Sequence, residues 1–194
     1  MEIGATKAVQ DRLKTTKIEE SKGASLVFCW DTHLTKIKGR NVLFIVNASN
    51  RYTIAMTDIE PRNWNYYTMY ISSVIHGVMQ EMGYSEDQIG QYFKMSGDTT
   101  VTKTHGRKSV GGINRMVMDA QYFGKKLEKE AKYQWELSEY LNRDICQPEG
   151  FDAYGYPSEL FKLDMERLGI AAKRKPAKVI DFAQYIENNR GTND

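Results

Sequence analysis

Apolar residues in the first third of the chain come in four short runs separated by turn residues. The runs occupy residues 25–30, 34–37, 41–46 and 51–56 and are rich in the β-branched and aromatic residues that strands favour. The run at 41–46 (NVLFIV) is almost continuously apolar, which is typical of a central strand covered on both faces. Connections this short join only antiparallel neighbours. The pattern therefore predicts an antiparallel β-meander of about four strands over residues 25–56.

Beyond Pro61 the apolar period changes to three and four residues, which predicts helices. The first helix covers residues 67–82 and ends near Gly83, and Ser85 with Gln88 forms a capping box that opens the second. The remaining predicted elements are helices at 5–14, from 107 to about 141 with a bend allowed at Gly124, and at 158–168, together with a short strand at 99–104.

Strands in succession followed mostly by helices predict an α+β fold, in which the meander and the short strand pack against a set of helices. A length of 194 residues fits one sizeable core better than two. Residues 147–157 contain two prolines and two glycines and are predicted to form a loop or boundary. We therefore predict one core domain over residues 1–145 and a C-terminal helical extension over 146–194, with a final apolar element at 179–186.

Composition excludes several classes of protein. The net charge of +2 does not by itself imply a nucleic-acid partner. Cys29 and Cys146 lie far apart and the three histidines are scattered, so neither a disulfide framework nor a structural zinc site is expected. No apolar segment has the length of a membrane helix, and the first residues carry no secretory signal, which together predict a cytoplasmic setting.

The stretch TKTHGRKSVGG, residues 102–112, concentrates basic residues and glycines. It resembles the end of a phosphate-binding loop, but Arg107 separates the glycine from the lysine and Val101 stands where the first glycine is required. Two interpretations remain open. The stretch is either an anion site at a helix N-terminus or a strand-to-helix turn whose charges face solvent.

The helix predicted after this stretch is basic as well. Residues 98–132 contain eight Lys or Arg against four Asp or Glu, a net charge of +4. One basic face suits nucleic acid or an acidic protein surface, and a solvated helix face explains the charges equally well. The residues predicted to contact nucleic acid or a partner are Lys103, His105, Arg107, Lys108, Arg115, Lys125 and Lys126.

Candidate catalytic residues do not form a set. Asp31 and His33 would point the same way along a strand, but they lack a nucleophile or a third partner. Asp152 and Asp164 are isolated carboxylates without an acid–base partner in the pattern. We therefore predict no catalytic residue, no metal and no cofactor.

Two separated motifs carry a family resemblance. In the first, a tryptophan precedes a Leu-Thr-x-Ile strand, a basic turn, and an apolar strand that ends in asparagine near an Arg-Tyr pair. In the second, a Thr-Lys-Thr strand precedes an Arg-Lys-Ser turn and a helix with an asparagine. The matching residues are Trp30, Leu34, Ile37, Arg40, Asn47, Arg51 and Tyr52, then Thr102, Lys103, Thr104, Arg107, Lys108, Ser109 and Asn114.

Over about residues 3–125 the chain thus resembles an uncharacterised family, a domain of unknown function in small bacterial, plasmid and phage proteins. His33 departs from the pattern, where asparagine is expected. The resemblance implies no established activity, but it implies a home in accessory or mobile-element genes. Among the motif residues, a structural role is expected for Trp30, Asn47, Arg51, Tyr52 and Asn114.

Three functional hypotheses follow. The first is a non-enzymatic binding protein of a mobile genetic element that acts on a host nucleoprotein or defence complex, with anti-CRISPR-type inhibition as one concrete form. Its partner would be a host protein or ribonucleoprotein complex, with direct nucleic-acid contact as a further option. The alternatives are a nuclease-like enzyme with its site near Asp31, His33, Lys103 and Arg107, and an antitoxin-like regulator.

Overall fold

The computed structural model describes residues 1–15 and 18–172. Its elements, in chain order, are β1 (Glu2–Ala5), α1 (Lys7–Leu13), β2 (Cys29–Ile37), β3 (Arg40–Asn47), β4 (Thr53–Thr57), α2 (Pro61–Asn65), α3 (Tyr67–Glu81), α4 (Glu86–Ser96), β5 (Thr100–Thr102), α5 (Gly106–Gln121), α6 (Trp135–Asn142) and α7 (Pro157–Arg167). The fold is α+β, as predicted. The apolar element predicted at 179–186 lies outside the described residues.

The five strands form one mixed sheet in the order β4-β3-β2-β1-β5. Strands β2, β3 and β4 pair antiparallel, whereas β1 pairs in parallel with both β2 and β5. This corrects the purely antiparallel meander, because β1 adds parallel pairing. The runs predicted at 25–30 and 34–37 are also not two strands, since β2 takes only Cys29 and Trp30 from the first run and all of the second, while Leu26–Phe28 form a short 3-10 helix. Asp31 and Thr32 interrupt the apolar pattern there, but both are buried, with hydrogen-bond partners. Polar residues that are satisfied inside a sheet do not end a strand.

Helices cover both faces of the sheet. Leu43 and Ile45 face a core formed with α1, α3, α4 and α7, whereas Val42, Phe44 and Val46 face a second core formed with α5 and α6. Strand β3 is therefore covered on both faces, as its composition predicts. The middle position of the sheet belongs to β2 and not to β3.

The long helix predicted from residue 107 to about 141 is two helices, α5 and α6, separated by residues 122–134. This segment follows the edge of β4, where the Thr57 N–H donates to the Lys132 carbonyl over 2.8 Å and the Gln134 N–H to the Ala55 carbonyl over 2.9 Å. The strand edge thus competes successfully with helical hydrogen bonding. A single helix over 107–141 would place Trp135 on its inward face, in the apolar period of Leu127 and Leu141, but Trp135 is not buried. It begins α6 and stays 42% exposed.

Helices α4 and α7 concern two further predictions, the capping box at Ser85 and the C-terminal extension. The capping box of α4 is confirmed, since the Gln88 N–H donates to Ser85 Oγ and the Ser85 N–H to Gln88 Oε1. Helix α7 contributes Phe161 and Met165 to the first core. Described residues beyond 145 thus pack on the sheet layer. None of the described helices is long and apolar enough to cross a bilayer.

Candidate functional site

Side chains from β1, β2 and the turn between β5 and α5 meet under the first turn of α5. In the register of β1 with β2, Glu2 lies beside Cys29 and Gly4 beside Asp31, so these residues share one face of the sheet. His105 follows β5 and is the residue immediately before α5. We call Glu2, Cys29, Asp31, His105 and Ser109 the polar cluster. Its members come from three separate stretches of the sequence, at residues 2, 29–31 and 105–109, and the sheet topology brings these stretches together.

His105 lies between two carboxylates. Its Nδ1 is 2.7 Å from Asp31 Oδ1, and its Nε2 is 3.0 Å from Glu2 Oε2. The backbone N–H of His105 donates to both oxygens of Asp31, and the Ser109 hydroxyl donates to Asp31 Oδ2. The other Glu2 oxygen accepts the Lys22 N–H over 2.9 Å. Both carboxylates are therefore held in fixed orientations.

The polar cluster is closed to solvent, because the His105 side chain is 2% exposed and that of Asp31 0%. Burial opposes a charged imidazole, but hydrogen bonds and charge from Asp31 and Cys29 outweigh it and raise the pKa of His105 to about 10. Burial likewise opposes a charged Glu2, but hydrogen bonds led by that of Ser21 lower its pKa below the usual value. An ion-paired imidazolium in this position stabilises the junction of β1, β2 and β5.

Gly4 provides the space that the Asp31 carboxylate fills. A Cβ at this position would lie 1.8 Å from Asp31 Oδ1 and 3.1 Å from His105 Nδ1. No side chain fits between the strand and the carboxylate. The absence of a side chain at Gly4 is therefore a requirement of the polar cluster.

Three members of the polar cluster offer ligand atoms of the kinds that bind a metal. One oxygen of Glu2, Sγ of Cys29 and one ring nitrogen of His105 all lie within 4.8 Å of one another, and all three residues are buried. Sequence spacing gave no sign of this arrangement, because the ligands come from β1, β2 and the residue before α5. Motifs such as Cys-x-x-Cys detect ligands only when they lie close together in the chain.

The predicted contact residues do not form one open basic face. His105 is interior and offers no surface contact. Lys103 pairs with Glu20, Arg115 with Asp119, and Lys125 with Glu136, while Lys108 Nζ donates to the Pro148 carbonyl. Within residues 1–15 and 18–172, Arg107 and Lys126 are exposed and make neither an ion pair nor a hydrogen bond. Of the seven basic residues in α5 and the following segment, three are thus ion-paired, namely Arg115, Lys125 and Lys132.

Of the five motif residues for which a structural role is expected, four make specific internal contacts. Trp30 and Tyr52 are buried against Phe161, with ring centroids 6.1 and 5.2 Å away. Asn47 accepts the N–H groups of the following turn at Oδ1 and donates to the Val27 carbonyl, while Arg51 donates to the Gly112 carbonyl over 2.8 Å. The fifth residue, Asn114, is exposed on α5.

The residues of the proposed nuclease-like site do not meet in one accessible place. Asp31 belongs to the closed polar cluster. His33 is on the same face of β2 but contacts Thr6, with Nδ1 3.2 Å from the hydroxyl oxygen, and burial lowers its pKa. Lys103, directly after β5, and Arg107, in the first turn of α5, are both exposed.

An open cleft of about 650 Å³ lies between the end of α5 and α6. We call it the aromatic cleft, because Phe123, Trp135 and Tyr140 contribute rings to its wall, and the last two are each 42% exposed. Four carboxylates and two basic groups complete the charged part of the lining, namely Asp119, Glu136, Glu139, Asp144, Lys125 and Arg143. The helical period did not predict this cleft, since it placed Trp135 inside.

A family model described as a domain of unknown function (DUF6933) matches residues 2–160. The match includes every member of the polar cluster and the whole lining of the aromatic cleft. No curated protein and no solved structure matches the chain.

Proposed function

Since the chain belongs to the DUF6933 family, a domain of unknown function, we propose its function from geometry: it is a non-enzymatic binding protein that holds a basic segment of a partner protein in the aromatic cleft. The observation that carries this proposal is one open groove in which exposed rings lie beside four carboxylates and only two basic groups. Aromatic faces attract Lys and Arg side chains through cation–π contact, and carboxylates supply the complementary charge.

The charges of the aromatic cleft support a cationic partner. Lys125 is 2.5 Å from Glu136 and Arg143 is 3.1 Å from Glu139, so both basic groups of the lining are already paired within it. Asp119 is paired with Arg115 outside the lining, and Asp144 makes no ion pair within the described residues. A nucleic-acid backbone would meet repulsion here, whereas a Lys- or Arg-rich segment would meet complementary charge.

The closed polar cluster supports binding over catalysis. General acid–base chemistry needs a group within hydrogen-bond reach of a substrate. His105 and Asp31 contact each other beneath α5, and their side chains are almost wholly removed from solvent. The nuclease-like alternative therefore gains no support from the polar cluster, although the pKa of its His105 is raised to about 10.

This proposal gives a specific form to the host-interaction hypothesis. Proteins that bind nucleic acid present Lys- and Arg-rich surfaces. A protein of a mobile element that covers such a surface would interfere with a host nucleoprotein or defence complex in the cytoplasm without touching the nucleic acid itself. Inhibition of the anti-CRISPR type is one example of this mode of action.

The test is fluorescence anisotropy with a labelled Lys/Arg-rich peptide, compared with a peptide in which Glu replaces each basic residue. We expect the basic peptide alone to bind, with affinity that falls as salt screens the charges. Trp135→Ala should weaken binding by about tenfold, as loss of a cation–π anchor does. Tyr66→Ala is the matched control, since Tyr66 is 66% exposed and lies outside the cleft.

Two results would count against the proposal. Absence of peptide binding at low salt would remove the aromatic cleft as a basic-segment site. Binding of RNA or DNA that is lost in the Arg107→Ala/Lys126→Ala double variant, but retained in Trp135→Ala, would assign the function to nucleic-acid contact instead.

A further inference from the structure

We propose that Glu2, Cys29 and His105 bind a zinc ion, with Asp31 holding the histidine in position. The inference is independent of the aromatic cleft. It concerns an ion inside the protein rather than a partner on its surface.

The donor set matches zinc chemistry. A thiolate, an imidazole nitrogen and a carboxylate oxygen are the three ligand types that zinc takes in proteins. In tetrahedral coordination at ordinary bond lengths, neighbouring ligand atoms lie about 3.3–3.8 Å apart. The three atoms here lie within 4.8 Å of one another, and His105 Nε2 is 3.0 Å from Glu2 Oε2. Movements of about 1 Å therefore suffice to close the three ligands on a metal.

A second observation points to the same ion. Zinc-bound histidines commonly donate their other ring N–H to a carboxylate, which fixes the tautomer and the ring orientation. His105 Nδ1 lies 2.7 Å from Asp31 Oδ1. Asp31 is in turn fixed by the His105 backbone N–H and the Ser109 hydroxyl. The nitrogen left for a metal is Nε2, which already faces Glu2.

The charge and covering of the site also suit a buried divalent cation. Glu2 and Asp31 are two buried carboxylates that share one basic side chain, His105. The irregular chain before β2 closes over the ligands, since the Lys22 N–H donates to Glu2 and Cys29 Sγ donates to the Ser25 carbonyl over 3.5 Å. Zinc bound here would join β1, β2 and the start of α5.

The experiment uses full-length chain without a polyhistidine tag, refolded from denaturant with and without equimolar zinc. We expect one zinc per chain by elemental analysis and a higher thermal midpoint in the zinc sample. Cobalt in place of zinc should give tetrahedral visible bands and a near-ultraviolet thiolate-to-cobalt charge-transfer band. That band arises only when a cysteine sulfur binds the metal.

Cys29→Ser should abolish the charge-transfer band and the zinc-dependent rise in midpoint. Cys146→Ser is the matched control, because Cys146 is also a free and buried cysteine but lies outside the polar cluster. If Cys29→Ser does not fold, Glu2→Gln serves as the second variant and should lower zinc affinity at least tenfold. Wild-type protein with no zinc-dependent midpoint and no cobalt–thiolate band would overturn the proposal, as would zinc binding that Cys29→Ser leaves unchanged.

Discussion

Asp31 depends on its neighbours on two adjacent strands and one helix. Three donors surround its carboxylate, namely the backbone N–H and Nδ1 of His105 and the hydroxyl of Ser109, and Gly4 leaves the space in which it lies. Removing one partner of a buried ion pair leaves the other charge without compensation, which costs about 3–5 kcal/mol. The polar cluster is therefore a point where one added methyl group has a large effect.

Gly4→Ala should lower the free energy of unfolding by about 3 kcal/mol or more, because the new Cβ would displace the Asp31 carboxylate from His105. Chemical denaturation monitored by tryptophan fluorescence measures the change. Gly90→Ala is the control, since Gly90 is an exposed helical residue of α4 whose Cβ would meet no atom within 4 Å. That control should stabilise the protein by about 0.5–1 kcal/mol. Equal effects at the two positions would show that the close approach at Gly4 does not matter.

Asp164→Asn should raise the thermal midpoint at neutral pH. Burial raises the pKa of the Asp164 carboxyl, so the folded state prefers the protonated form. The stability that protonated Asp164 contributes is fully present below the pKa of this carboxyl in the unfolded state. It is lost as pH rises through the pKa of the same carboxyl in the folded state. Asparagine keeps an acceptor for the Asn50 side chain, 2.9 Å away, and carries no charge.

The measurement is the difference in midpoint between Asp164→Asn and wild type from pH 7 down to pH 3. We expect this difference to shrink as the wild-type carboxyl becomes protonated. Asp152→Asn, at an exposed position, should show little difference throughout. A difference in midpoint that stays constant or grows as the pH falls would contradict the raised pKa of Asp164.

At the scale of elements, the sequence was informative where local pattern decides structure. The capping box at Ser85 and the apolar period of α3 predicted two helices closely. Strand β1 was missed, because four residues (EIGA) carry no periodic signal and its partners lie far along the chain. The polar cluster was missed for the same reason. His105 was predicted to be a surface contact because its neighbours in the sequence are basic, and no local pattern reveals that it faces Asp31.

The segment between α5 and α6 depends on one glutamine. Gln134 Nε2 donates to Thr57 Oγ1 and to two carbonyls of the segment, while its Oε1 accepts the Glu128 N–H over 2.8 Å. Gln134→Ala should therefore destabilise the protein by about 2–3 kcal/mol, since buried groups lose their partners. Because Gln134 directly precedes α6, the variant should also weaken peptide binding in the aromatic cleft.

Hydrogen exchange of the backbone amides tests this prediction, and we expect faster exchange in residues 128–133 of Gln134→Ala than in the wild type. Gln121→Ala is the control, because it removes a single exposed hydrogen bond to the Lys36 carbonyl. Unchanged exchange in 128–133 would mean that the backbone contacts with β4 hold the segment without the side chain.

At the scale of the whole molecule, α7 decides where the folding unit ends. Phe161 contacts the rings of Trp30 and Tyr52, and Met165 is buried in the same core. A chain truncated after residue 145 should lose cooperative unfolding, because deleting one core phenylalanine side chain alone costs about 3–5 kcal/mol. A chain truncated after residue 172 is the control. A cooperative transition in the shorter chain, seen by calorimetry, would support the predicted boundary at 145.

The position of β1 between β2 and β5 has a consequence for the order of assembly. Glu2 pairs with Cys29 on one side and with Thr100 on the other, so one edge of β1 has its partner early in synthesis and the other edge only after α2, α3 and α4 have been made. Contacts of such long sequence separation form slowly. During translation the open edge of β1 exposes unpaired N–H and C=O groups that can pair with another chain. Until β5 arrives, the nascent protein would therefore depend on a chaperone or on rapid elongation to avoid self-association.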